Sequence, residues 1–198
     1  MNDTFDLLLD KARAFHGEVC AGIVLGTRIT MAGMQTLDMD PMQRNRNLIV
    51  FVEIDRCMTD AVQAITGCSL GHRTLKYFNY GRFAATFYDI ASRRAVRVAS
   101  RQRPNADRRD DLRELYKTIP QEELLTMKEV NMIVDDYQLP GFSQIIEKCC
   151  QCGELVFDNR HVVRNGQILC RVCAGDISYY YELTGETGDA CGEEHGPR

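Results

Sequence analysis

Two cysteine pairs near the end of the chain limit what it can fold into more than any other feature. Cys149-x-x-Cys152 and Cys170-x-x-Cys173 stand seventeen residues apart. A two-residue gap lets one turn aim both sulfurs at a point, and two such turns supply the four tetrahedral ligands that zinc takes. Between the pairs, Glu154 to Phe157 and His161 to Val163 read as hairpin strands, and Asn165-Gly166 as a hairpin turn. The second pair leads into Ala174 to Leu183, which reads as a helix. A knuckle, a hairpin and a helix together describe a treble-clef finger. Four thiolates close the coordination shell, so the zinc expected here is structural. A segment of about 35 residues builds no core of its own, and metal binding supplies its folding energy. The competing reading is four buried or redox-active cysteines. Cys150 lies too close to Cys152 for the usual knuckle, and His161 reads as a hairpin residue rather than a ligand.

The cysteine count extends the argument beyond the finger. Nine cysteines occur in 198 residues. The amino end, Met1 to Asp6, is acidic and lacks the basic region of a signal peptide. The apolar runs fall short of the roughly 18 residues that cross a bilayer. These features place the protein in the cytoplasm with no membrane partner. In a reducing compartment such a count means metal ligation or thiol chemistry rather than disulfides. Basic and acidic residues number 24 and 28, a net charge of −4, so there is no nucleic-acid footprint.

Taken in order, the chain reads as an α+β core, with helices packed on a mainly antiparallel sheet. Residues 3 to 16 place Phe5, Leu8, Leu9, Ala12 and Phe15 on one helical face, with Asp3 as cap and Gly17 as stop. A second helix starts near Cys20. Its glycines, Gly22, Gly26 and Gly33, each cost about 1 kcal/mol against alanine in an exposed helix, which implies burial against a close neighbour. Leu48 to Val52 is a continuous β-branched run, a central strand buried on both faces. A short helix follows, with Ala61, Val62 and Ile65 inward and Gly67 at its end. Leu75 to Phe78, Phe83 to Ile90 and Ala95 to Ser100 then read as an antiparallel meander. Residues 101 to 111 form a charged linker, Leu112 to Ile119 a helix, Pro120 to Met127 another, and Val130 to Val134 a strand. Leu139-Pro140-Gly141 is the expected boundary, giving a core at 1–140, a finger at 141–184 and a disordered tail at 185–198. Within that tail Cys191 is a free surface thiol and His195 has no assigned role.

A second cluster of metal-capable side chains lies in the core. His16 and Cys20 flank the helix break at Gly17, and Cys57 sits in a first helical turn just past a strand end. Helix N-termini favour thiolate. One imidazole and two thiolates make a credible zinc set, and three protein ligands leave a fourth position open. Glu53 or Asp55 would orient a ligand or move protons. Core packing of the histidine and cysteines is the alternative.

The stretches Phe15-His16-Gly17-x-x-Cys20-x-Gly22, Glu53-x-Asp55-x-Cys57-x-x-Asp60-Ala61-x-Gln63, Thr66-Gly67-Cys68-x-x-Gly71 and Asn79-Tyr80-Gly81 carry a resemblance. From about residue 12 to residue 90 the chain resembles the FmdE family, the E-subunit family of formylmethanofuran dehydrogenase. That resemblance implies an α+β core with a metal or reactive-cysteine site built from the histidine and cysteines, and a homodimer. Some members of the family carry a C-terminal finger. It further implies one-carbon metabolism, at the molybdenum or tungsten enzyme that fixes carbon dioxide onto methanofuran. This chain has Glu18 where the family often has histidine, and Ala21 where it has proline. His16, Cys20 and Cys57 are carried over as ligands of a second divalent metal, zinc, with Cys68 as an additional candidate. His72, Arg73 and Lys76 would face an anionic ligand or line an exposed hairpin edge; Tyr80 reads as a turn residue.

Three functions follow. The first is a zinc-binding accessory protein of a molybdenum or tungsten formyl-transferring complex. The second is a stand-alone enzyme holding an open zinc, with Glu53 or Asp55 moving protons. The third is a thiol-redox protein using Cys20 with Cys57 or Cys68.

Overall fold

A computed structural model describes residues 2–101, 111–143 and 145–180. Most of the charged linker, the tail with Cys191 and His195, and the last part of the helix expected over 174–183 lie outside the described residues. The side chain of Asp3 does too. The chain divides into two compact units, Met1–Val134 and a second starting at Asp135.

The first unit is the expected α+β core. Helix α1 (Asn2–His16) buries Phe5, Leu8, Leu9 and Ala12. The helical repeat then brings His16 to the inner side, while Phe15, expected inward, is 57 % exposed. Gly17 closes the helix at a φ of +101°. Helix α2 (Ala21–Thr36) is almost wholly buried and begins at Cys20, whose sulfur accepts the Ile23 amide at 3.4 Å. Its buried threonines stay satisfied inside the helix, Thr27 donating to the Ile23 carbonyl and Thr30 to that of Gly26.

Strand β1 (Leu48–Val52) is buried at every position and hydrogen-bonded on both sides, as a central strand must be. Helix α3 (Cys57–Thr66) follows and ends at Gly67, which is left-handed at φ +70°. Strand β2 (Leu75–Tyr77) then runs parallel to β1, not into an antiparallel meander. The intervening helix is the reason: a parallel neighbour needs a crossover of a dozen or more residues, and α3 supplies it. Strands β3 (Ala84–Asp89) and β4 (Ala95–Ser100) form the expected hairpin on the other side of β1.

Helix α4 (Leu112–Thr118) is capped by Asp111, whose carboxylate accepts the Arg113 and Glu114 amides. Arg28 of α2 donates to the Tyr116 and Ile119 carbonyls beyond it. The helix expected through Met127 stops early. Helix α5 is only Gln121–Leu124, and Leu125–Glu129 becomes strand β5, while the strand expected over Val130 to Val134 is absent. Pairing with β4 decides this, since it buries Leu125 in the core. The sheet order is β2-β1-β3-β4-β5. Leu48, Val50, Val52, Ala85, Phe87, Val96 and Val98 join the helices in one core.

In the second unit, β6 (Ile146–Lys148) pairs with β7 (Leu155–Phe157), and β8 (Val162–Arg164) with β9 (Gln167–Leu169). Asn165 and Gly166, at φ +51° and +78°, make the second turn as expected. The two expected strands are therefore not partners of each other; each pairs within its own hairpin. From Arg171 to Gly175 the chain makes turns, and 176–180 has no helix, so the described part of 174–183 corrects the helical expectation.

The glycines of α2 explain how closely it packs. A Cβ on Gly26 would lie 2.8 Å from the Met58 Cα and 2.9 Å from the Ala61 Cβ. A Cβ on Gly33 would lie 2.2 Å from the Phe87 ring. Gly26→Ala therefore destabilises the protein by roughly 1–3 kcal/mol, although alanine is the better helix former by about 1 kcal/mol. Urea denaturation measures the difference, and a neutral or stabilised variant contradicts the packing.

Candidate metal centre

The second unit gathers the four expected cysteines. The sulfurs of Cys149, Cys152, Cys170 and Cys173 lie within 4.8 Å of one another. Each pair sits in a tight turn. The Gly153 amide donates to the Cys149 carbonyl at 2.9 Å, and the Ala174 amide to the Cys170 carbonyl at 2.9 Å. Cys173 also donates its amide to the Cys170 sulfur. Burial raises the Cys149 thiol, but the amides of Cys152, Cys170 and Gln151 outweigh it and hold the thiol down to about 6. Cys152 and Cys173 are pushed up, by burial and by their neighbouring cysteines. A divalent cation removes that mutual opposition, and a closed S₄ shell is the chemistry of structural zinc. Cys150 is outside the set; its amide bonds the Ile168 carbonyl and ties the two hairpins.

The first unit brings together His16, Cys20 and Cys57, with ligand atoms also within 4.8 Å of one another. Three elements converge here. His16 ends α1, Cys20 caps α2, and Cys57 is the first residue of α3. Gly22 permits the approach: a Cβ there would stand 3.0 Å from the Cys57 Cβ and 3.5 Å from its sulfur. His16 Nε2 lies 3.8 Å from the Cys20 sulfur. Its other ring nitrogen, Nδ1, lies 2.7 Å from Asp60 Oδ2. All four side chains are partly exposed. Burial, and then Cys20, raise the Cys57 thiol, so the sulfur pair resists ionising without a cation. One nitrogen and two sulfurs fit zinc, with a fourth position left over.

The carboxylate beside His16 is Asp60, not Glu53 or Asp55. Strand alternation places Glu53 with Ile49 and Phe51, on the face opposite Leu48, Val50 and Val52. There both Glu53 oxygens are taken: Arg97 grips them at 2.7 and 2.8 Å, and Arg82 at 2.6 Å. Asp55 is exposed and meets the Tyr77 hydroxyl. Asp60 had a signal in the sequence, since it follows Cys57 by three residues and shares its helical face. Cys68 is also displaced from the expected set. It lies beyond the far end of α3, 3 % exposed, with its thiol on the Leu48 carbonyl at 3.5 Å. Burial raises its pKa, and it is a packing residue. His72 bonds Ser69 on an exposed turn, and Tyr80 stacks beneath Arg82 at 4.7 Å.

Burial raises the Glu53 carboxyl, but the hydrogen bonds and charges of Arg97 and Arg82 outweigh it and hold its pKa below the ordinary value. A depressed carboxyl contributes stability above its unfolded pKa and loses it as pH falls through the folded value. Glu53→Gln thus costs on the order of 3 kcal/mol at neutral pH. The two proteins converge in urea denaturation below about pH 3. A pH-independent difference contradicts the ion-pair account.

Comparisons with known proteins agree with this arrangement. Residues 15–147 match the family described as FmdE, molybdenum formylmethanofuran dehydrogenase operon. Residues 144–179 match the prokaryotic dksA/traR C4-type zinc finger. A probable S-adenosyl-L-methionine-binding protein of Archaeoglobus fulgidus is 29 % identical over 90 % of this chain, which spans only 54 % of that relative. A crystal structure of an FmdE-like protein of tungsten formylmethanofuran dehydrogenase type, from Syntrophus aciditrophicus, shares the fold, with a TM-score of 0.51 and 21 % identity. The alignment covers 86 % of this chain and 92 % of that one. No helix among the described residues is long and apolar enough to cross a membrane. The chain therefore belongs to the FmdE family and carries a C4-type zinc finger at its C-terminal side.

Proposed function

We propose that this chain is a two-metal protein. Zinc in the finger is structural, and a second divalent metal, zinc, sits on His16, Cys20 and Cys57. The observation that carries the reading is one nitrogen and two sulfurs from three elements within 4.8 Å, with Asp60 on the far side of the imidazole. Bound there, zinc would act as a Lewis acid on whatever small ligand took the fourth position. The chain's own residues hold the donors in place and leave the centre partly open.

The role we assign is that of an accessory protein. It works with a molybdenum or tungsten formyl-transferring complex of one-carbon metabolism, as a cytoplasmic homodimer. The family description, which names the formylmethanofuran dehydrogenase operon, supports the association. A stand-alone enzyme is less favoured. Glu53 is neutralised by two arginines, Asp55 is engaged by Tyr77, and Asp60 is occupied by His16. The adjacent Cys20 and Cys57 sulfurs support the thiol-redox reading if no metal binds.

Metal analysis of the full-length protein tests the proposal. The expected result is two zinc ions per chain, falling to one in Cys20→Ala or Cys57→Ala and staying at two in Cys68→Ala. One zinc in the wild type, unchanged by Cys20→Ala, overturns the core centre. Reversible Cys20–Cys57 disulfide formation would then establish the redox reading. Isothermal titration with S-adenosyl-L-methionine, the ligand in the Archaeoglobus relative's name, completes the test. Binding abolished by Cys20→Ala would place that ligand at the same centre.

A further inference from the structure

The core centre is held by more than its three donors. Helix α3 presents Cys57, Asp60 and Gln63 at successive three-residue steps toward the end of α1. Asp60 Oδ2 lies 2.7 Å from His16 Nδ1, and its other oxygen accepts the Gln63 side-chain amide at 3.5 Å. His16 is the last residue of its helix, with the break at Gly17 immediately after it. Beyond that point the ring has no following helical turn to hold it. The carboxylate is the group that fixes its rotation and tautomer.

We propose that Asp60 is a positioning residue for the core centre and that Gln63 steadies it. This inference rests on the two-metal reading above. With the proton held on Nδ1 by Asp60, the lone pair of His16 sits on Nε2, the nitrogen that faces the Cys20 sulfur. Without Asp60 the proton is free to move to Nε2, which then donates rather than ligates. A carboxylate behind a ligating imidazole also raises its basicity toward the metal. Asp60 thus makes a partly exposed His/Cys/Cys cluster selective for a metal bound through Nε2. Gln63 contributes less, because its contact is longer and Asp60 keeps its own bond to the ring without it.

The alternative role is a clasp between α1 and α3 that has nothing to do with metal. Cobalt(II) titration of the metal-free full-length protein separates the two. Cys20→Ala serves as the reference that loads only the finger, so its ligand-field spectrum can be subtracted. Asp60→Ala should weaken cobalt binding at the core roughly 10–100-fold and shift the core ligand-field bands. Asp60→Asn keeps an oxygen for Nδ1–H and should fall between it and wild type. Gln63→Ala should lose less than tenfold. Thermal melting of each variant in its metal-free form reports the clasp separately. Wild-type affinity and bands in Asp60→Ala, even with a lowered melting temperature, would overturn the positioning role while leaving the centre intact. A wild type whose cobalt spectrum already equals that of Cys20→Ala removes the centre itself, and the positioning role falls with it.

Discussion

The close approach of α2 to α3 is the constraint on which the first unit depends. Two helices normally pack 8–10 Å apart, the distance set by the side chains between them. Here Gly26 places backbone against the Met58 backbone, and Gly22 lies against Cys57. That approach brings two helix N-termini to one place, with a cysteine at each: Cys20 as the cap of α2 and Cys57 as the first residue of α3. The positive ends of both helices favour anionic sulfur, and burial opposes it, most clearly at Cys57. A cation resolves the conflict. The end of α1 completes the cluster because its inward stripe ends on His16.

Charge is sorted by element periodicity. A strand turns alternate residues to opposite faces, so Glu53 follows Ile49 and Phe51 away from the helices and into the grip of Arg82 and Arg97. A helix returns to the same face after three or four residues, so Asp60 follows Cys57 toward His16. Two acidic residues seven positions apart thereby acquire unrelated roles. In the finger the energetics differ. Its only fully buried apolar cluster is Cys149, Leu169 and Ala174 among the described residues. Such a cluster supplies little hydrophobic stabilisation, and the S₄ zinc site carries the fold.

Local chemistry made much of this legible in the sequence. The run Leu48 to Val52 announced a doubly buried strand, Gly17 and Gly67 marked two helix ends, and the small residues of α2 announced a close neighbour. The CxxC spacings located the finger site, and the His16, Cys20 and Cys57 set was named from spacing and resemblance. What the sequence hid depends on pairing across distance. The parallel placement of β2, the switch from helix to strand at Leu125 and the two-hairpin finger follow from which strand finds which partner. Asp60 was overlooked for a related reason. Its partner lies 44 residues away on another helix, and the carboxylates closer to the strand end drew the assignment instead.

The central claim is a second, sulfur-poor metal centre beside the finger, and zinc K-edge X-ray absorption of the full-length, zinc-loaded protein tests it most directly. An S₄ finger averaged with an S₂N centre completed by one light ligand gives about three sulfurs and one nitrogen or oxygen per zinc. That averaged shell, reverting to four sulfurs when Cys57 is replaced by alanine, is the predicted result. A pure four-sulfur shell in the wild type would contradict the account.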